Sequence, residues 1–397
     1  MGMQADIQFD PFDHTLHDDP YPVYKALRDR APAYYNEKFG FWALSRYDDC
    51  VLALRDFKTY CNRFGQTLEP TAPGILPILL LMDPPDHTRV RKVVGRVLTP
   101  ERVAHLADYV RTLACELLAP FRDRSRGAGA MDIIGDFSAK LPMAVISRLL
   151  QVPREDEDLL RGWTDDAVHR DDGVFRMPDR GVESCQKLFG YFAELIAERK
   201  QHLDADGGDL LSLIILAEQK GEISYDEMLG FCFILAIAGN ETTTKLIGNM
   251  AYQFDAHPEQ RQLLLAQPEL IAPAIEEVMR FDGPTQLQAR TLTKDVALHG
   301  VTMKEGDKVG ILFISANRDE RHFPDAERFD IRRNARDHIG FGGGIHACLG
   351  AALARLEAKI AFEEVLALMP DYRVDRSGLR RMHSPNVRGY THVPVTF

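Results

Sequence analysis

One helix constrains the fold of this 397-residue chain more than any other feature of the sequence. Ser224-Tyr-Asp-Glu227 is a capping box, and the helical pattern that it starts runs to about Ala256, before His257-Pro258. At 1.5 Å per residue, its roughly 32 residues span about 48 Å. The apolar run within it, Met228 to Gly239, is shorter than the about 20 residues that cross a bilayer. We therefore expect a buried helix that runs through the middle of a large protein.

A polar insertion, Gly239-Asn240-Glu241-Thr242-Thr243, follows the apolar run of this helix directly. Burying an unpaired carboxylate is costly, so a core helix does not carry Glu241 there without a reason. One explanation is structural: a threonine bonds to the carbonyl one turn back while Glu241 is solvated. The other is that an acid and a hydroxyl serve chemistry in a dry site.

Helical patterns, with apolar residues at three- and four-residue intervals, dominate the rest of the chain. Strand signals are confined to Ala33 to Leu44, with a turn at Phe39-Gly40, and to Val296 to Leu312. The sequence thus predicts a mainly α (α+β) fold with small antiparallel sheets, in one domain over residues 1–397. Arg122 to Ala130 and Asp204 to Asp209 are predicted loops within it. The other predicted helices are Tyr21 to Asp29, Asp48 to Arg55, Pro85 to Leu98, Pro100 to Phe121, Phe137 to Leu150 and Gly181 to His202.

Composition excludes several classes of protein. A formal net charge of −11 argues against a general nucleic-acid binder, whose affinity comes from lysine and arginine. The N-terminal residues MGMQADIQFDPFD show no signal peptide or membrane anchor, so we expect a cytoplasmic protein. The six cysteines form no CxxC pair, which disfavours zinc ribbons and disulfide frameworks. Five of them are predicted to be core residues, and the sixth is Cys348.

Cys348 follows the glycines Gly342 to Gly344 and precedes an alanine-rich helix. A phosphate loop would need a Lys-Ser or Lys-Thr pair after the glycines, which the chain lacks there. The dinucleotide fingerprint G-x-G-x-x-A matches formally, but no strand-helix-strand unit surrounds it. A Cys-His nucleophile with His346 is a third possibility, although two positions apart in a loop is a poor geometry for proton transfer.

A metal-bound thiolate accounts for more of these residues. Backbone N–H groups and a nearby helix N-terminus lower the pKa of a thiol and help it to bind iron. Gly350 and the alanines after it keep the first turns of the helix slim, so that a flat cofactor can lie close. Gly342 to Gly344 allow the backbone to approach the same plane, where Cβ atoms would collide.

The segment from Phe341 to Ala354 (FGGGIHACLGAALA) resembles the haem-binding signature F-G-x-G-x-H-x-C-x-G-x-x-L-A of the cytochrome P450 superfamily, soluble bacterial type. In that family the cysteine is the axial thiolate of haem, which donates electron density to the iron and favours O–O cleavage. The resemblance therefore implies haem b as cofactor, with Cys348 as the metal ligand. It also implies that Phe341, Gly342, His346 and Gly350 bind the cofactor.

Two further segments resemble motifs of the same family. Glu277-Val-Met-Arg280 is similar to its E-x-x-R, a structural ion pair on one helix face that supports the haem loop. Ala238-Gly239-Asn240-Glu241-Thr242 is similar to its oxygen-activation motif, which implies that Glu241 and Thr242 are catalytic and that Ala238 lies against the cofactor. By the same resemblance, the haem propionates are bound by His87, Arg91, Arg290 and His346.

The resemblance implies a monooxygenase that uses O₂ to hydroxylate, epoxidise or dealkylate a small hydrophobic substrate. No flavin or nicotinamide domain is visible, so electrons are expected from a ferredoxin or flavodoxin with its reductase, and the protein is expected to be a monomer. The apolar residues Gly74 to Met82 favour a hydrophobic ligand. Two alternatives stay open: a haem-thiolate sensing protein without turnover, and a cysteine hydrolase. The predicted substrate-pocket residues are Leu235, Ala238, Thr285 and Leu287.

Overall fold

Helices make up most of the computed structural model, which describes residues 7–69, 76–122, 129–203 and 209–397. In chain order the α-helices are α1 (His14–Asp18), α2 (Tyr21–Arg30), α3 (Tyr47–Arg55), α4 (Asp86–Val94), α5 (Pro100–Ala104), α6 (Ala107–Arg122), α7 (Lys140–Leu150), α8 (Glu157–Val168), α9 (Asp179–Gln201), α10 (Leu210–Gln219), α11 (Tyr225–Ala256), α12 (Pro258–Ala266), α13 (Ile271–Asp282), α14 (Phe313–Asn317) and α15 (Ala351–Leu368). The mainly α fold that the sequence predicts is confirmed.

The strands are short and form small sheets. They are β1 (Ala33–Asn36), β2 (Phe41–Leu44), β3 (Tyr60–Cys61), β4 (Ala130–Asp132), β5 (Leu287–Leu292), β6 (Val296–Leu298), β7 (Val301–Met303), β8 (Lys308–Leu312), β9 (Arg373–Val374), β10 (Arg380–Arg381), β11 (Tyr390–His392) and β12 (Pro394–Thr396). The largest sheet has the order β1-β2-β8-β5-β3, in which only β2 and β8 run parallel. The predicted hairpin turns at Gly40, whose φ of 67° favours glycine.

Several predicted helices differ from the structure at their ends. The helix predicted from Pro85 ends at Val94, where Gly95 forms the C-terminal cap. The pattern from Pro100 to Phe121 is two helices, α5 and α6. A π-helical turn, Ile133–Ser138, precedes α7. The predicted loops Arg122 to Ala130 and Asp204 to Asp209, and the start of the apolar stretch Gly74 to Met82, lie largely outside the described residues.

The long central helix is α11, and its capping box is present as predicted. The Glu227 backbone N–H donates to Ser224 Oγ at 3.2 Å, and the Ser224 N–H donates to Glu227 Oε2 at 2.8 Å. Helices α7, α8, α9, α13 and α15 all pack against α11, so most of its length is buried. In the ranges that the structure describes, we find no helix with the length and apolar character needed to span a membrane.

The predicted Glu277 and Arg280 pair is fully buried on α13 and forms two parallel hydrogen bonds of 2.8 Å. Arg280 also donates to the carbonyls of Asn317, Ala326 and Arg328, at 2.9 to 3.2 Å. These bonds tie α13 to the segment that leads into the cysteine loop. Because both charges of the Glu277–Arg280 pair have hydrogen-bond partners, burial of the pair is tolerated.

We expect Arg280→Ala to lower the free energy of unfolding by about 3 to 5 kcal/mol, because it removes the buried cation that pairs with Glu277 and leaves the carbonyls of Asn317 and Ala326 without that donor. Urea denaturation followed by circular dichroism measures this loss. Arg176→Ala is the matched control, because Arg176 pairs with Asp179 at the same i,i+3 spacing but on the exposed surface. It should change the free energy by less than about 0.5 kcal/mol. Equal losses in the two variants would contradict the structural role of Arg280.

Candidate active site

A large cavity lies between α11 and the N-terminal end of α15. It has about 1270 Å³ of empty space, part of it open to solvent. Its lining includes Leu235, Ala238, Gly239, Thr242 and Thr243 of α11, and Phe341, Gly342, His346, Cys348 and Gly350 of the cysteine loop.

The cysteine loop presents the Cys348 side chain to this cavity. The Cys348 backbone N–H donates to the Phe341 carbonyl at 2.8 Å, which closes the loop. Gly342 and Gly344 have φ values of 74° and 61°, a conformation that side chains disfavour. A Cβ atom on Gly344 would also collide with the carbonyl oxygen of Leu54, in α3. Two glycines of the run are therefore required by the backbone itself.

Phe341 is held by a chain of charged groups. The Arg355 guanidinium lies 4.3 Å from the centre of the Phe341 ring, a cation–π contact. Arg355 in turn forms two hydrogen bonds with Glu276, at 2.6 and 2.9 Å, and His338 Nε2 lies 3.1 Å from the same carboxylate. Glu276 therefore connects the beginning of the cysteine loop to the helix that follows it.

The thiol of Cys348 faces opposing electrostatic effects. Cys348 is exposed to the cavity, yet desolvation by the surrounding protein raises its pKa, whereas the Gly350 N–H and the charges of Arg91 and Arg355 lower it. The donors that the sequence predicts are thus in place, but burial outweighs them in the free thiol. Coordination to a metal takes a deprotonated thiolate, so a bound metal ion would overcome this cost.

Buried nitrogens converge near the cysteine loop. The rings of His87 and His346 lie 4.3 Å apart, and none of their four nitrogens has a hydrogen-bond partner in the described part of the chain. Arg290 is only 2% exposed, and burial lowers its pKa to about 10. Arg91 donates to the Ala347 carbonyl and lines the cavity. A flat cofactor that carries two carboxylates would supply the missing acceptors, so these residues fit haem.

Glu241 and Thr242 lie next to each other in sequence but face different surroundings. Thr242 lines the cavity, and its hydroxyl donates to the Ala238 carbonyl at 2.7 Å, one turn back. Glu241 is 2% exposed and is not among the cavity-lining residues of the described chain. One of its oxygens lies 3.2 Å from Lys245 Nζ. The alternative of a solvated Glu241 is therefore wrong, whereas the predicted back-bond of a threonine is present.

Two partners of Glu241 were not predicted. Lys245 is almost fully buried one helical turn further along α11, a spacing visible in the sequence. Asp165 comes from α8, and no sequence signal connects it to Glu241. The pKa of Asp165 is raised by burial and by its interaction with Glu241. The pKa of Glu241 is lowered, because Lys245 and Asp165 outweigh its burial. Asp165 is 47% exposed, so burial affects it less than Glu241.

The structure brings three of the four predicted substrate-pocket residues to the cavity: Leu235, Ala238 and Thr285. Leu287 is buried instead among the apolar side chains of a separate core cluster. Its neighbour Gln288 lines the cavity. Successive side chains of a strand point to opposite faces, so a shift of one residue along β5 exchanges the two environments.

Comparison with known proteins adds to this geometry. A family model described as cytochrome P450 matches residues 175–368. Over 397 aligned residues the chain is 38% identical to a Mycobacterium tuberculosis protein named as cytochrome P450 123, with 98% of this chain and 97% of the relative covered. It is 37% identical over 402 residues to a vitamin D(3) 25-hydroxylase of Pseudonocardia autotrophica, with 98% and 96% covered.

The fold also matches the solved structure of cytochrome P450 CREJ in complex with (4-ethylphenyl) dihydrogen phosphate. The TM-score is 0.89 at 31% sequence identity, and 98% of this chain and 99% of that chain are covered. The chain therefore belongs to the cytochrome P450 family. As a member it is a haem-dependent monooxygenase, which the resemblance of its cysteine loop predicts. Neither a cysteine hydrolase nor a sensing protein without turnover is supported by these relatives.

We expect Gly344→Ala to prevent the cysteine loop from forming, because a methyl group would meet the Leu54 carbonyl in a backbone conformation that alanine disfavours. The haem content of the purified protein, measured by the pyridine haemochrome assay, should fall at least about tenfold. Gly343→Ala is the control, because that glycine has ordinary φ and a Cβ there would lie 3.5 Å from Leu54 Cβ. Full haem content in Gly344→Ala would contradict this explanation of the glycine run.

Proposed function

We propose that this cytochrome P450 binds haem b through Cys348 and inserts one oxygen atom from O₂ into a neutral, mainly apolar organic molecule. The observation that carries the proposal is the cavity. It combines a thiol, a cavity-facing hydroxyl and a group of buried nitrogens that lack acceptors. Bound haem supplies the activation of oxygen, and the thiolate favours cleavage of the O–O bond.

The proposed roles divide between two ends of the cavity. Cys348 would ligate the iron, and Phe341, Gly342 and Gly350 would allow the macrocycle to approach the loop. Ala238 contributes a small side chain on the opposite side, from α11. The propionates would accept hydrogen bonds from a group of cationic and imidazole side chains. That group consists of His87, Arg91, Arg290 and His346.

We further propose that Thr242 and Glu241 both take part in proton transfer, Thr242 at the cavity and Glu241 away from it. Thr242 lines the cavity, where its hydroxyl could donate a proton in place of its bond to the Ala238 carbonyl. Glu241 lies behind it, next to Lys245 and Asp165, with opposite pKa shifts in the two acids. An ionised acid beside a protonated one can accept and return a proton without leaving two buried negative charges. Asp165 is partly exposed, so this pair also connects the buried Glu241 towards solvent.

Thr242→Ala should uncouple electron consumption from product formation, because the cavity loses its proton-donating hydroxyl. We expect product per electron to fall at least about tenfold, with hydrogen peroxide released instead. The measurement uses purified enzyme with a surrogate ferredoxin and reductase. Thr243→Ala is the matched control, since Thr243 is adjacent and also lines the cavity. It should keep most of the coupling.

A second variant separates the role of Thr242 from that of the thiolate. Cys348→Ala should lose both turnover and the shifted spectrum of the reduced carbon-monoxide complex, whereas Thr242→Ala should keep that spectrum. If the two threonine variants were coupled to the same extent, Thr242 would have no special role. If Cys348→Ala kept the spectrum, the assignment of the metal ligand would be wrong.

The lining of the cavity supports a neutral ligand. Leu79, Phe231, Ile234 and Leu235 supply much of the apolar surface. The polar side chains of the lining include Gln288 and threonines. Among the described residues that line the cavity, Arg91 is the only lysine or arginine, and it is one of the proposed propionate ligands. Two of the related proteins have ligands with large apolar parts, vitamin D(3) and (4-ethylphenyl) dihydrogen phosphate. We propose the same apolar character for the substrate of this chain, without the phosphate.

A matched pair of ligands tests this substrate class: 1-dodecanol and dodecanoate, which differ in charge but not in chain length. The alcohol should bind at least about tenfold more tightly, because the one arginine among the described lining residues, Arg91, is assigned to the propionates and leaves a buried carboxylate unpaired. Titration of the haem absorbance of the purified enzyme measures both dissociation constants. Equal or tighter binding of dodecanoate would contradict a neutral substrate, while leaving the monooxygenase assignment intact.

We propose that electrons arrive from a ferredoxin or flavodoxin with its reductase, and that the protein works in the cytoplasm as a monomer. Basic side chains of α4 would face such an acidic carrier. Two of the basic residues on or just after α4 already form ion pairs, Arg89 with Glu227 and Arg96 with Glu222. Lys92 is therefore the better candidate for a direct contact with the carrier.

A further inference from the structure

Three histidines from distant parts of the sequence meet away from the cavity. His14 and His17 belong to α1, and His383 lies between β10 and β11. One ring nitrogen from each histidine lies within 4.8 Å of the other two. The rings of His14 and His383 are stacked, with centres 3.7 Å apart. None of these residues has a role in the proposed reaction.

The hydrogen bonds of two of these rings determine which nitrogen is free. His14 Nε2 lies 3.1 Å from the Arg170 carbonyl, and His17 Nε2 lies 2.9 Å from the Pro11 carbonyl. A carbonyl only accepts, so Nε2 carries the proton in both rings. Each Nδ1 therefore keeps its lone pair. This is the arrangement of metal-binding histidines, whose other nitrogen donates to a backbone carbonyl.

The free nitrogens are buried and lack partners. Nδ1 of His17 and Nδ1 of His383 have no hydrogen-bond partner within the described ranges, and His17 is only 2% exposed. A buried polar atom without a partner costs free energy that a ligand would recover.

We propose that His14, His17 and His383 form a binding site for a divalent transition-metal ion, with zinc as the ion that fits best. Imidazole nitrogen is a preferred ligand of zinc, and three protein ligands leave a fourth tetrahedral position for water. Three acidic side chains lie near enough to affect the histidines electrostatically, and they add negative charge that favours a cation. They are Asp13, Asp18 and Asp172.

Binding requires a local rearrangement. Tetrahedral zinc with Zn–N bonds of about 2.0 to 2.1 Å holds its ligand atoms about 3.3 Å apart, closer than the 4.8 Å limit of this cluster. The stacked rings lie in nearly parallel planes 3.7 Å apart, so their in-plane lone pairs cannot both point at one ion unless His14 or His383 turns about its Cβ–Cγ bond. Rotation about this bond has a broad energy minimum in histidine. The zinc-free arrangement is therefore stacked, and the zinc-bound one is tilted.

The position of the site indicates what a metal would do. The segment between α8 and α9 already contacts the N-terminal residues, because Gly173 N–H donates to the Phe12 carbonyl and His14 N–H donates to Asp172. Arg170 N–H donates to the His383 carbonyl. An ion held by His14 and His383 would clamp this segment between the N-terminal helix and the C-terminal hairpin. It would stabilise the junction without contact with the haem.

Zinc titration of the chelator-treated holoenzyme tests the site. We expect one zinc per chain by calorimetry and metal analysis, with a dissociation constant of about 10 μM or tighter. His14→Ala and His383→Gln should weaken binding at least about tenfold. His392→Ala is the control, since His392 is exposed on the same hairpin, in β11. Neither ligand variant replaces a residue of the proposed active site, so monooxygenase activity should persist.

A second readout separates this site from adventitious binding. Zinc should slow amide exchange in residues 11–18 and 169–174 of the wild-type protein but not of His383→Gln. The proposal is wrong if zinc does not bind, if the two ligand variants bind it as the wild type does, or if exchange in these segments does not respond. If the purified protein had no monooxygenase activity but still bound zinc in this way, the proposed function would be wrong and the zinc site would stand.

Discussion

The position of Cys348 depends on two adjacent buried acids of α13. Glu277 binds Arg280, which holds three carbonyls of the segment before the cysteine loop. Glu276 binds His338 at the start of the loop and Arg355 in the helix beyond it. Although burial opposes it, Arg355 and His338 hold the pKa of Glu276 at about 2. Arg280 thus reaches the segment before the loop, and Glu276 reaches side chains on both sides of it, so these contacts fix both ends of the loop.

The central helix applies a related constraint on the other side of the cavity. Its apolar run forms the wall of the pocket, and its polar insertion divides between two environments. Thr242 faces the cavity, whereas Glu241 is compensated by Lys245 from the same helix and by Asp165 from α8. A carboxylate can be buried in a core helix only with such compensation. The acid and the hydroxyl are therefore neighbours in sequence with separate surroundings.

Much of the fold and site was predictable because the decisive signals are local. The capping box of α11 places two side chains three residues apart, and both of its hydrogen bonds form. The hairpin of β1 and β2 turns at the expected glycine. Two predictions from the sequence differ from the structure. A periodic pattern does not reveal the break between α5 and α6, and the predicted pocket residue Leu287 packs in a core cluster, whereas Gln288 lines the cavity. The face was decided by the pairing of β5 with β8, which no local pattern contains.

The sequence by itself determined the long capped helix, the glycines that admit the cysteine loop, the spacing of Glu277 and Arg280, and the family. All of these follow from interactions between residues close in the chain, or from a motif that is contiguous. Only the tertiary structure decided that Asp165 meets Glu241, that His87 lies against His346, and that the histidines of α1 meet His383. The physical reason is that these contacts join segments far apart in sequence, and they form only when the helices pack and bring their buried polar atoms together.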